Sequence, residues 1–511
     1  MLTDVLPRAS LRDRINTASV VSVLGVAAAV VFSVIIVWRP LYTGIFVALL
    51  IPLGVLLALT AGLPLWGRTV VALLAGFIVL SRGFAYTQLP LGALPIYVGE
   101  IGLAICLVTL PHRVAMPAML RHPLTWALTA WMALGAALTY QHVAEYGATA
   151  LRDAAIWYYA VFAYVGYAFA MRPRHLRPLL RVLALAFGAH ALFCALWIWG
   201  SADILRLSPL APGSTFPLLY LRPDASAVHL GAGFLFALFM GKHLGWPTLT
   251  RWVVAFPQLV LMIALQARAG YVAFAAASTY LAARFRARQV VLGMVALACV
   301  GLGAAVLDVQ ARSGRLVLSV PRVVEEFETL LPFWRVSDYE SASSRRSVVA
   351  VDWRKEYWNW VLEHNTANLS SLLFGIGFGP DLTPETTRIK FTRSRERPNR
   401  NPHSIAVTVF GRMGLVGLSL WLVWHVAFFS LQWRWLSAAK RAANGWQVDL
   451  AAFLTTYAIL MLVAAMFGVL LESPFMAAPY FFIIGLSLRL ASVYLGQPAS
   501  QRGGDPATAR G

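Results

Sequence analysis

Long apolar runs dominate the chain and restrict it to one fold class. Runs of about 18 or more apolar residues recur, and a helix needs ~20 residues to cross the hydrocarbon core of a bilayer. In lipid, every backbone polar group must be bonded internally, so such runs fold as helices. Of the 511 residues, 59% are hydrophobic and 13% are charged. We therefore expect an all-α polytopic membrane protein.

The runs predict about 14 transmembrane helices (12–14) and one large, partly helical loop. Residues 1–307 carry the first eleven spans, 308–403 form the loop, 404–494 carry the last three, and 495–511 form a disordered tail. The predicted spans are 18–38, 41–62, 69–87, 93–111, 123–140, 154–171, 179–200, 225–242, 252–267, 270–284, 289–307, 404–431, 451–471 and 475–494.

The distribution of charge predicts the topology. The net charge is +20, and with a cytoplasmic N-terminus 21 of the 42 basic residues fall in the tails and cytoplasmic connections. Only six lie in the short external connections. This asymmetry follows the positive-inside rule, so the basic balance does not indicate a nucleic-acid partner. It places the 308–403 loop outside, and the C-terminus in the cytoplasm.

The loop concentrates the polar chemistry of the chain, since it holds 12 of the 22 acidic residues. Within it, the apolar spacing of residues 315–334 predicts an interfacial helix. Residues 351–365 predict a second helix, with Trp353, Tyr357, Trp360 and Val361 on one stripe. We expect the function of the protein to reside in this loop and at the helix ends beside it.

Several familiar sites are missing from the sequence. It contains no GxxxxGK phosphate loop, no His/Cys cluster with metal-ligand spacing, and no paired acidic motif on an external segment. The three cysteines lie in apolar runs and imply no disulfide framework. We therefore expect no metal and no cofactor, and cationic side chains would have to replace a divalent cation.

Two arginines are candidates for binding an anion. Arg268 lies between two apolar runs at their external ends, and an ionisable residue at membrane depth indicates function by default. The alternative is an arginine that extends to the lipid headgroups. Arg354 opens an Arg-x-x-x-Trp turn that ends at Trp358. From its spacing alone, it fits a solvated helix charge beside a packed aromatic residue better.

His403 directly precedes an apolar run, so it lies at a helix N-terminus on the external side. There the helix dipole favours a neutral imidazole, which suits a general base. A histidine that caps an interfacial helix fits the position equally well. The preceding basic run, 388–400, fits contacts with lipid headgroups, except for Arg397 and Arg400, which we take as candidate substrate contacts.

Four motifs in order resemble one family. Arg268-Ala-Gly270 follows a span, Arg354 and Trp358 lie in the external loop, and LFGIGFG (373–379) follows them. The fourth motif is H-S-x₆-G-R-x-G-L-x-G-L, which begins at His403. This order resembles the superfamily of O-antigen ligases and Wzy-type O-antigen polymerases, over roughly residues 225–490. Ser404 stands where the family usually has Asn, and the ligases commonly have about twelve spans.

The resemblance implies a GT-C-like glycosyltransferase of the bacterial inner membrane, active on the periplasmic face without metal. Its donor would be a glycan linked to undecaprenyl diphosphate, and its acceptor a sugar hydroxyl on a lipid-linked repeat or on lipid A-core. His403 would be the base, and Arg268 and Arg354 would hold the diphosphate. Trp358, Gly377 and Gly379 are further candidate contacts. A flippase and a chain-length regulator are the protein partners that such a pathway implies.

Other functions remain open at this point. Polymerase and ligase differ only in the acceptor, and the span count favours the polymerase slightly. A protein acceptor, as in O-oligosaccharyltransferases, fits the same chemistry. A lipid-linked glycan flippase also has 12–14 spans, but transporters concentrate charge near the bilayer midplane and repeat their halves. Here the midspan polar residues are few (His190, His229 and His425), and no repeat is visible.

The topology can be tested with reporter fusions at Tyr339, in the middle of the loop. A periplasm-dependent phosphatase fused there should be active, because the basic asymmetry places the loop outside. A reporter that is active only in the cytoplasm should give no signal at the same position. The opposite pattern would contradict the topology.

Overall fold

The computed structural model describes residues 54–91, 94–285, 311–313, 316–318, 342–382, 401–498 and 501–502. The chain divides into two units, residues 1–62 and 63–511. In the first unit, the described part consists of a helical stretch at 54–60 and a turn. The second unit contains all the elements named below.

Helices make up almost all of the described part of the second unit. In chain order they are α1 (Leu65–Ala85), α2 (Val98–Thr109), α3 (His112–Leu120), α4 (Pro123–Tyr146), α5 (Ala148–Asp153), α6 (Ala155–Tyr158), α7 (Phe162–Ala170), α8 (Leu176–Leu207), α9 (Pro223–Phe239), α10 (Thr248–Ala264), α11 (Arg268–Phe285), α12 (Ala342–Thr366), α13 (Leu369–Phe374), α14 (Ile405–Arg441), α15 (Gly445–Ala465) and α16 (Pro474–Gly496). Two short hairpins are formed by β1 (Gln88–Leu91) with β2 (Leu94–Tyr97), and by β3 (Ala311–Ser313) with β4 (Leu316–Leu318).

The described residues include five helical segments long and apolar enough to cross a membrane: α1, Pro173–Leu207 (which contains α8), α14, α15 and α16. Shorter apolar helices are α2, α9 and α10. The expected class, a helical membrane protein, is confirmed. The predicted spans 18–38 and 289–307, and most of 41–62, lie outside the described residues, so the number of 14 spans stays a prediction.

The span predicted at 93–111 begins later than the hydropathy indicated. Its first residues form β2, which pairs antiparallel with β1, and the helix starts at Val98. Pro90 and Pro95 face each other in this hairpin. A proline disfavours helical geometry at the residue before it, so Pro95 prevents the helix from extending back through Leu94.

The interfacial helix predicted at 315–334 is wrong over 316–318, where the chain pairs with 311–313 as β4 and β3. Two residues separate the strands, a length typical of hairpins, and β-branched Val317 favours an extended backbone. The rest of that segment lies outside the described residues. The helix predicted at 351–365 is confirmed, as part of the longer α12. Tyr357 and Val361 are fully buried, as the apolar stripe predicted.

The predicted span 154–171 is interrupted. It consists of α6, a 3₁₀ turn at Tyr159–Val161, and α7. Small residues allow α7 to cross α16 closely, since a Cβ on Gly166 would lie 2.0 Å from the Phe482 carbonyl oxygen. A Cβ on Gly485 would likewise lie 1.8 Å from the carbonyl oxygen of Ala163. Close backbone approach at small residues is the usual way in which membrane helices pack.

The C-terminal end of α16 extends into the predicted tail. The helix ends at Gly496, and Arg502 donates hydrogen bonds to the carbonyls of Leu495 (2.8 Å) and Gln497 (2.9 Å). Residues 503–511 of that tail lie outside the described residues.

Helix α14 is broken at Gly414, which has φ +62°. Such a break removes the helical partners of the carbonyls one turn earlier, at residues 410–412. The side chain of Asn365 donates to the Phe410 carbonyl (2.6 Å), and the backbone N–H groups of residues 376 and 377 donate to the carbonyls of residues 411 (2.9 Å) and 412 (3.2 Å). The glycine-rich segment 375–379 therefore completes the hydrogen bonding of the break.

A buried ion pair fixes this junction. The Arg412 side chain is 1% exposed, and its Nη2 lies 2.8 Å from Oδ2 of Asp153, the last residue of α5. Nη1 donates to the carbonyls of Gly377 (3.0 Å) and Pro380 (2.6 Å). Asp153 also accepts a hydrogen bond from the backbone N–H of Gly379 (3.1 Å). Arg412 thus joins α14, α5 and the glycine-rich segment.

We predict that Arg412→Met destabilises the protein by about 3–5 kcal/mol, because it leaves the Asp153 carboxylate buried without its cation. Thermal unfolding of the purified protein in detergent measures the effect. Arg152→Ala, at an exposed neighbouring position, should leave the midpoint nearly unchanged. Asp153→Leu added to Arg412→Met should recover part of the loss. Equal unfolding midpoints for the wild type and Arg412→Met would contradict the stabilising role of the Arg412–Asp153 ion pair.

Candidate active site

Charged side chains gather where several helices begin. Arg222 directly precedes α9, Asp224 lies in the first turn of that helix, and Arg268 is the first residue of α11. His403 lies two residues before α14. Helix N-termini carry a partial positive charge. These positions therefore form a site that favours an anion.

The structure brings together the three residues singled out by the sequence. Arg354, on α12, interacts electrostatically with Arg268, and His403 interacts electrostatically with Arg354. Burial and the charge of Arg268 lower the pKa of Arg354 below its ordinary value, while the negative charge of Asp224 opposes the shift. A guanidinium remains charged in proteins even so. The catalytic and binding roles of these residues stay predictions.

The environment of His403 keeps its imidazole neutral. Burial, together with the positive charges of Arg354 and Arg222, lowers the pKa of His403 from 6.5 to about 4, and Asp224 opposes the shift. From the sequence we expected a neutral imidazole because of the helix dipole. The structure adds burial and two guanidiniums as causes. A neutral imidazole can accept a proton at physiological pH.

Trp358 connects α12 to the segment that carries His403. Its indole N–H donates a hydrogen bond of 2.8 Å to the carbonyl of Pro402. Arg354 and Trp358 are one helical turn apart, so they lie on the same face of α12. In the Arg-x-x-x-Trp motif, the arginine therefore places a positive charge near His403, and the tryptophan donates a hydrogen bond to Pro402, the residue before the histidine. Trp358 was predicted as a substrate contact, and the structure gives it a positioning contact.

His403 has a backbone conformation that side chains rarely adopt, with φ +56°. Such strain costs about 1–3 kcal/mol and persists only where the surroundings hold it. Hydrogen bonds flank it on both sides: the indole N–H of Trp358 donates to the Pro402 carbonyl, and the backbone N–H of Thr408 donates to the Ser404 carbonyl (2.9 Å). Strained residues held in this way are typical of active sites.

Glu472 is a buried carboxyl next to the same turn. It lies 2.6 Å from the hydroxyl of Thr408, and it interacts electrostatically with Arg412, Asp153 and Arg222. Burial raises its pKa from 4.5 to about 7, although the hydrogen bond from Thr408 and the positive charge of Arg412 act to lower it. Near neutral pH the carboxyl is therefore only partly ionised, so it cancels less of the positive charge of the site than a fully ionised carboxylate would.

The two glycines predicted as substrate contacts pack tightly against α4. A Cβ on Gly377 would lie 2.1 Å from the His142 ring, and one on Gly379 would lie 2.4 Å from the Tyr146 ring. Both glycines also have positive φ, which a residue with a side chain adopts at a cost. These observations give both glycines a packing role. The predicted substrate contacts remain untested.

Two further predictions concern the same region. Arg397 and Arg400 lie outside the described residues. Within the residues that the structure describes, no group of three or more His, Cys, Asp or Glu side chains is placed to hold a metal ion.

A comparison with family models matches the segment that contains Arg268, Arg354 and His403. Residues 253–422 match the O-antigen ligase family model. The resemblance seen in the motifs is thereby confirmed over this segment. The match implies a ligase or polymerase activity of the glycosyltransferase type, in a multi-pass membrane protein that functions in polysaccharide biosynthesis. No curated protein matches the chain.

The O-antigen ligase match covers only part of the site. It includes Arg268, Arg354 and His403, as well as Arg412. Arg222 and Asp224 precede it, and Glu472 follows it. Neither Arg222 nor Glu472 was among the site residues expected from the sequence. An arginine inside an apolar run was the available signal for Arg412, because such a residue requires a partner.

The neutral state of His403 can be tested by its reaction with diethyl pyrocarbonate, which modifies only unprotonated imidazole. Peptide mass spectrometry gives the modified fraction as the pH is varied. We predict a midpoint of about 4 in the wild type, and Arg354→Ala should move it up toward 6.5 because one of the opposing charges is lost. The shift should be partial, since burial is the larger cause.

His364, exposed on the same helix, serves as the internal control and should react alike in both proteins. A downward shift of the His403 midpoint, or none, would contradict the electrostatic assignment.

Proposed function

We propose that this protein is an inner-membrane glycosyltransferase with a periplasmic active site. It transfers a glycan from undecaprenyl diphosphate to the hydroxyl of an acceptor sugar. The observation that carries the proposal is the joint placement of Arg268, Arg354 and His403, inside the segment that matches the O-antigen ligases. Two guanidiniums beside a neutral imidazole are the groups that this transfer requires.

Arg268 and Arg354 stabilise the leaving group. In the transfer, the bond between the glycan and the diphosphate oxygen breaks, and negative charge accumulates on the departing polyprenyl diphosphate. Fixed guanidiniums bind phosphate oxygens with two parallel hydrogen bonds. Donors placed where charge develops in the transition state contribute more than donors in water, because the site is partly dehydrated. The two guanidiniums thus take the place of the divalent cation that other glycosyltransferases use.

His403 activates the acceptor. The hydroxyl oxygen of the acceptor sugar attacks the glycan's anomeric carbon, and its proton passes to the neutral imidazole. A positioned base of this type contributes about 10²–10⁴ in rate. The position of His403 at the start of α14 supports this role, because helices that begin at the membrane surface bring the base to a lipid-held donor.

The acceptor decides between a ligase and a polymerase. A lipid-linked repeat makes the protein a polymerase, lipid A-core makes it a ligase, and a protein acceptor makes it an O-oligosaccharyltransferase. All three use the same donor half-reaction, so the site residues support each of them equally. Assays with each acceptor and the same lipid-linked donor distinguish them.

The midspan histidines do not favour a flippase. His229 contacts the Tyr457 hydroxyl at 2.9 Å, and His425 contacts the Tyr480 hydroxyl at 2.8 Å. His190 contacts the Val79 carbonyl at 3.2 Å. Each of these contacts joins neighbouring helices, which is a packing role. The charged groups instead gather at the helix ends described above.

The proposal predicts that the arginine variants and the histidine variant have different defects. Arg268→Ala and Arg354→Ala should each lower transfer by about 10²–10³, because a donor to the developing charge is lost. Arg→Lys should rescue poorly, since an ammonium cannot offer the planar fork. His403→Ala should keep donor binding and lose turnover. Donor affinity and single-turnover rate, measured on the same purified proteins with excess chelator, test this.

Lys355→Ala, an exposed neighbour of Arg354 on α12, is the matched control and should behave as wild type. Near-normal transfer by His403→Ala would assign the base to another residue. Loss of transfer in chelator, with rescue by magnesium, would reject the role of the two arginines.

A further inference from the structure

Arg222 and Asp224 form a rigid pair at the start of α9. The Nε of Arg222 donates to Oδ1 of Asp224 at 2.8 Å, and its Nη2 donates to Oδ2 at 2.9 Å. Two parallel bonds of this kind fix the plane of the guanidinium. Asp224 also accepts a hydrogen bond from the backbone N–H of Ala225 at 2.9 Å. The orientation of Arg222 is therefore set relative to the helix axis.

Residues between α15 and α16, and in α16 itself, hold the pair from the other side. The Cζ of Arg222 lies 5.5 Å from the centroid of the Phe475 ring. Gly468 packs so close to Asp224 that an added Cβ would lie 3.1 Å from Oδ2. Contacts from α9 and from the start of α16 thus restrain both side chains. Such a restrained guanidinium loses little entropy on binding a ligand.

Within the part of the chain that the structure describes, the pair leaves donor capacity unused. A guanidinium has five N–H donors, and the Nη1 group of Arg222 makes no hydrogen bond to any residue in the described part of the chain. The side chain is 16% exposed, so water or a ligand can reach it. Arg222 interacts electrostatically with His403, and Asp224 interacts with both His403 and Arg354.

We infer that Arg222, oriented by Asp224, is a third guanidinium of the donor site and binds the diphosphate together with Arg268 and Arg354. This inference rests on the proposed function. Its chemical basis is the fixed, charge-assisted donor at Nη1 beside the base and the second arginine. A purely structural ion pair that caps α9 is the competing explanation, and it predicts no effect on diphosphate binding.

The test measures binding of farnesyl diphosphate to the purified full-length protein in detergent, with farnesol as the uncharged control. Arg222→Ala should lower the affinity for farnesyl diphosphate roughly ten- to hundredfold, the range expected when a hydrogen bond to a charged group is lost. Farnesol binding should not change. Arg206→Ala, exposed at the end of α8 in the same external segment, should bind both probes as wild type does.

Asp224→Asn separates orientation from net charge. The substitution makes the site more positive, so electrostatics alone predicts tighter binding of the diphosphate. Loss of the two-pronged partner releases Arg222 from its fixed plane, so we expect weaker binding. Tighter binding by Asp224→Asn would overturn the role of Asp224. Arg222→Lys, which keeps the charge beside Asp224, should also bind more weakly than wild type, and it replaces the alanine variant if that protein does not fold.

The outcomes distinguish this inference from the proposed function. If the wild type binds no farnesyl diphosphate, the proposed donor chemistry fails and the inference fails with it. If the wild type binds and Arg268→Ala weakens binding while Arg222→Ala does not, the proposed function stands and the inference alone is rejected.

Discussion

The buried ion pair between Arg412 and Asp153 is the interaction on which the geometry of the site depends. It lies where α14 breaks at Gly414, and it holds the segment whose N–H groups satisfy the carbonyls exposed by that break. Breaking a buried pair is costly because a charge is then left without a partner. The first turns of α14, which begin two residues after His403, are therefore fixed against α5 and the glycine-rich segment.

An excess of positive charge surrounds the histidine that this scaffold holds. Arg268 acts electrostatically on Arg354, and Arg354 and Arg222 both act on His403. Asp224 forms an ion pair with Arg222. Like charges at a partly buried site destabilise the folded protein. An anionic ligand relieves that repulsion, which is why natural proteins collect guanidiniums where phosphate binds. Under the proposed function, stability is given up at the site and affinity for the diphosphate is gained.

Hydropathy and motif order predicted the helical class and the trio of Arg268, Arg354 and His403. Arg268 and His403 are visible in the sequence because an ionisable group at membrane depth or next to a helix start is unusual. Arg354 was singled out only by the resemblance of the motifs to the family. Arg222 was not identified, because its orientation depends on contacts that the sequence does not reveal. These are the ion pair with Asp224 and the packing of Gly468 and Phe475, two residues that are distant in the chain. The predicted ends of the spans were wrong where prolines and short β-strand pairs determine the local structure more strongly than hydropathy does. The β1–β2 hairpin is the example.

Under the proposed function, the same charges that bind the donor also adjust the base. In the free site, burial and the guanidiniums lower the pKa of His403 to about 4, and a base of such low pKa accepts a proton reluctantly. A bound diphosphate cancels the charges of Arg354 and Arg222, and it adds negative charge near the imidazole. Both effects raise the pKa of His403 toward the working pH. The imidazole then becomes a strong base only when the donor is present, and water has no activated path to the site in its absence. Helix α12 supports this coupling, because Arg354 acts electrostatically on His403 while Trp358, on the same face, holds the Pro402 carbonyl next to the histidine.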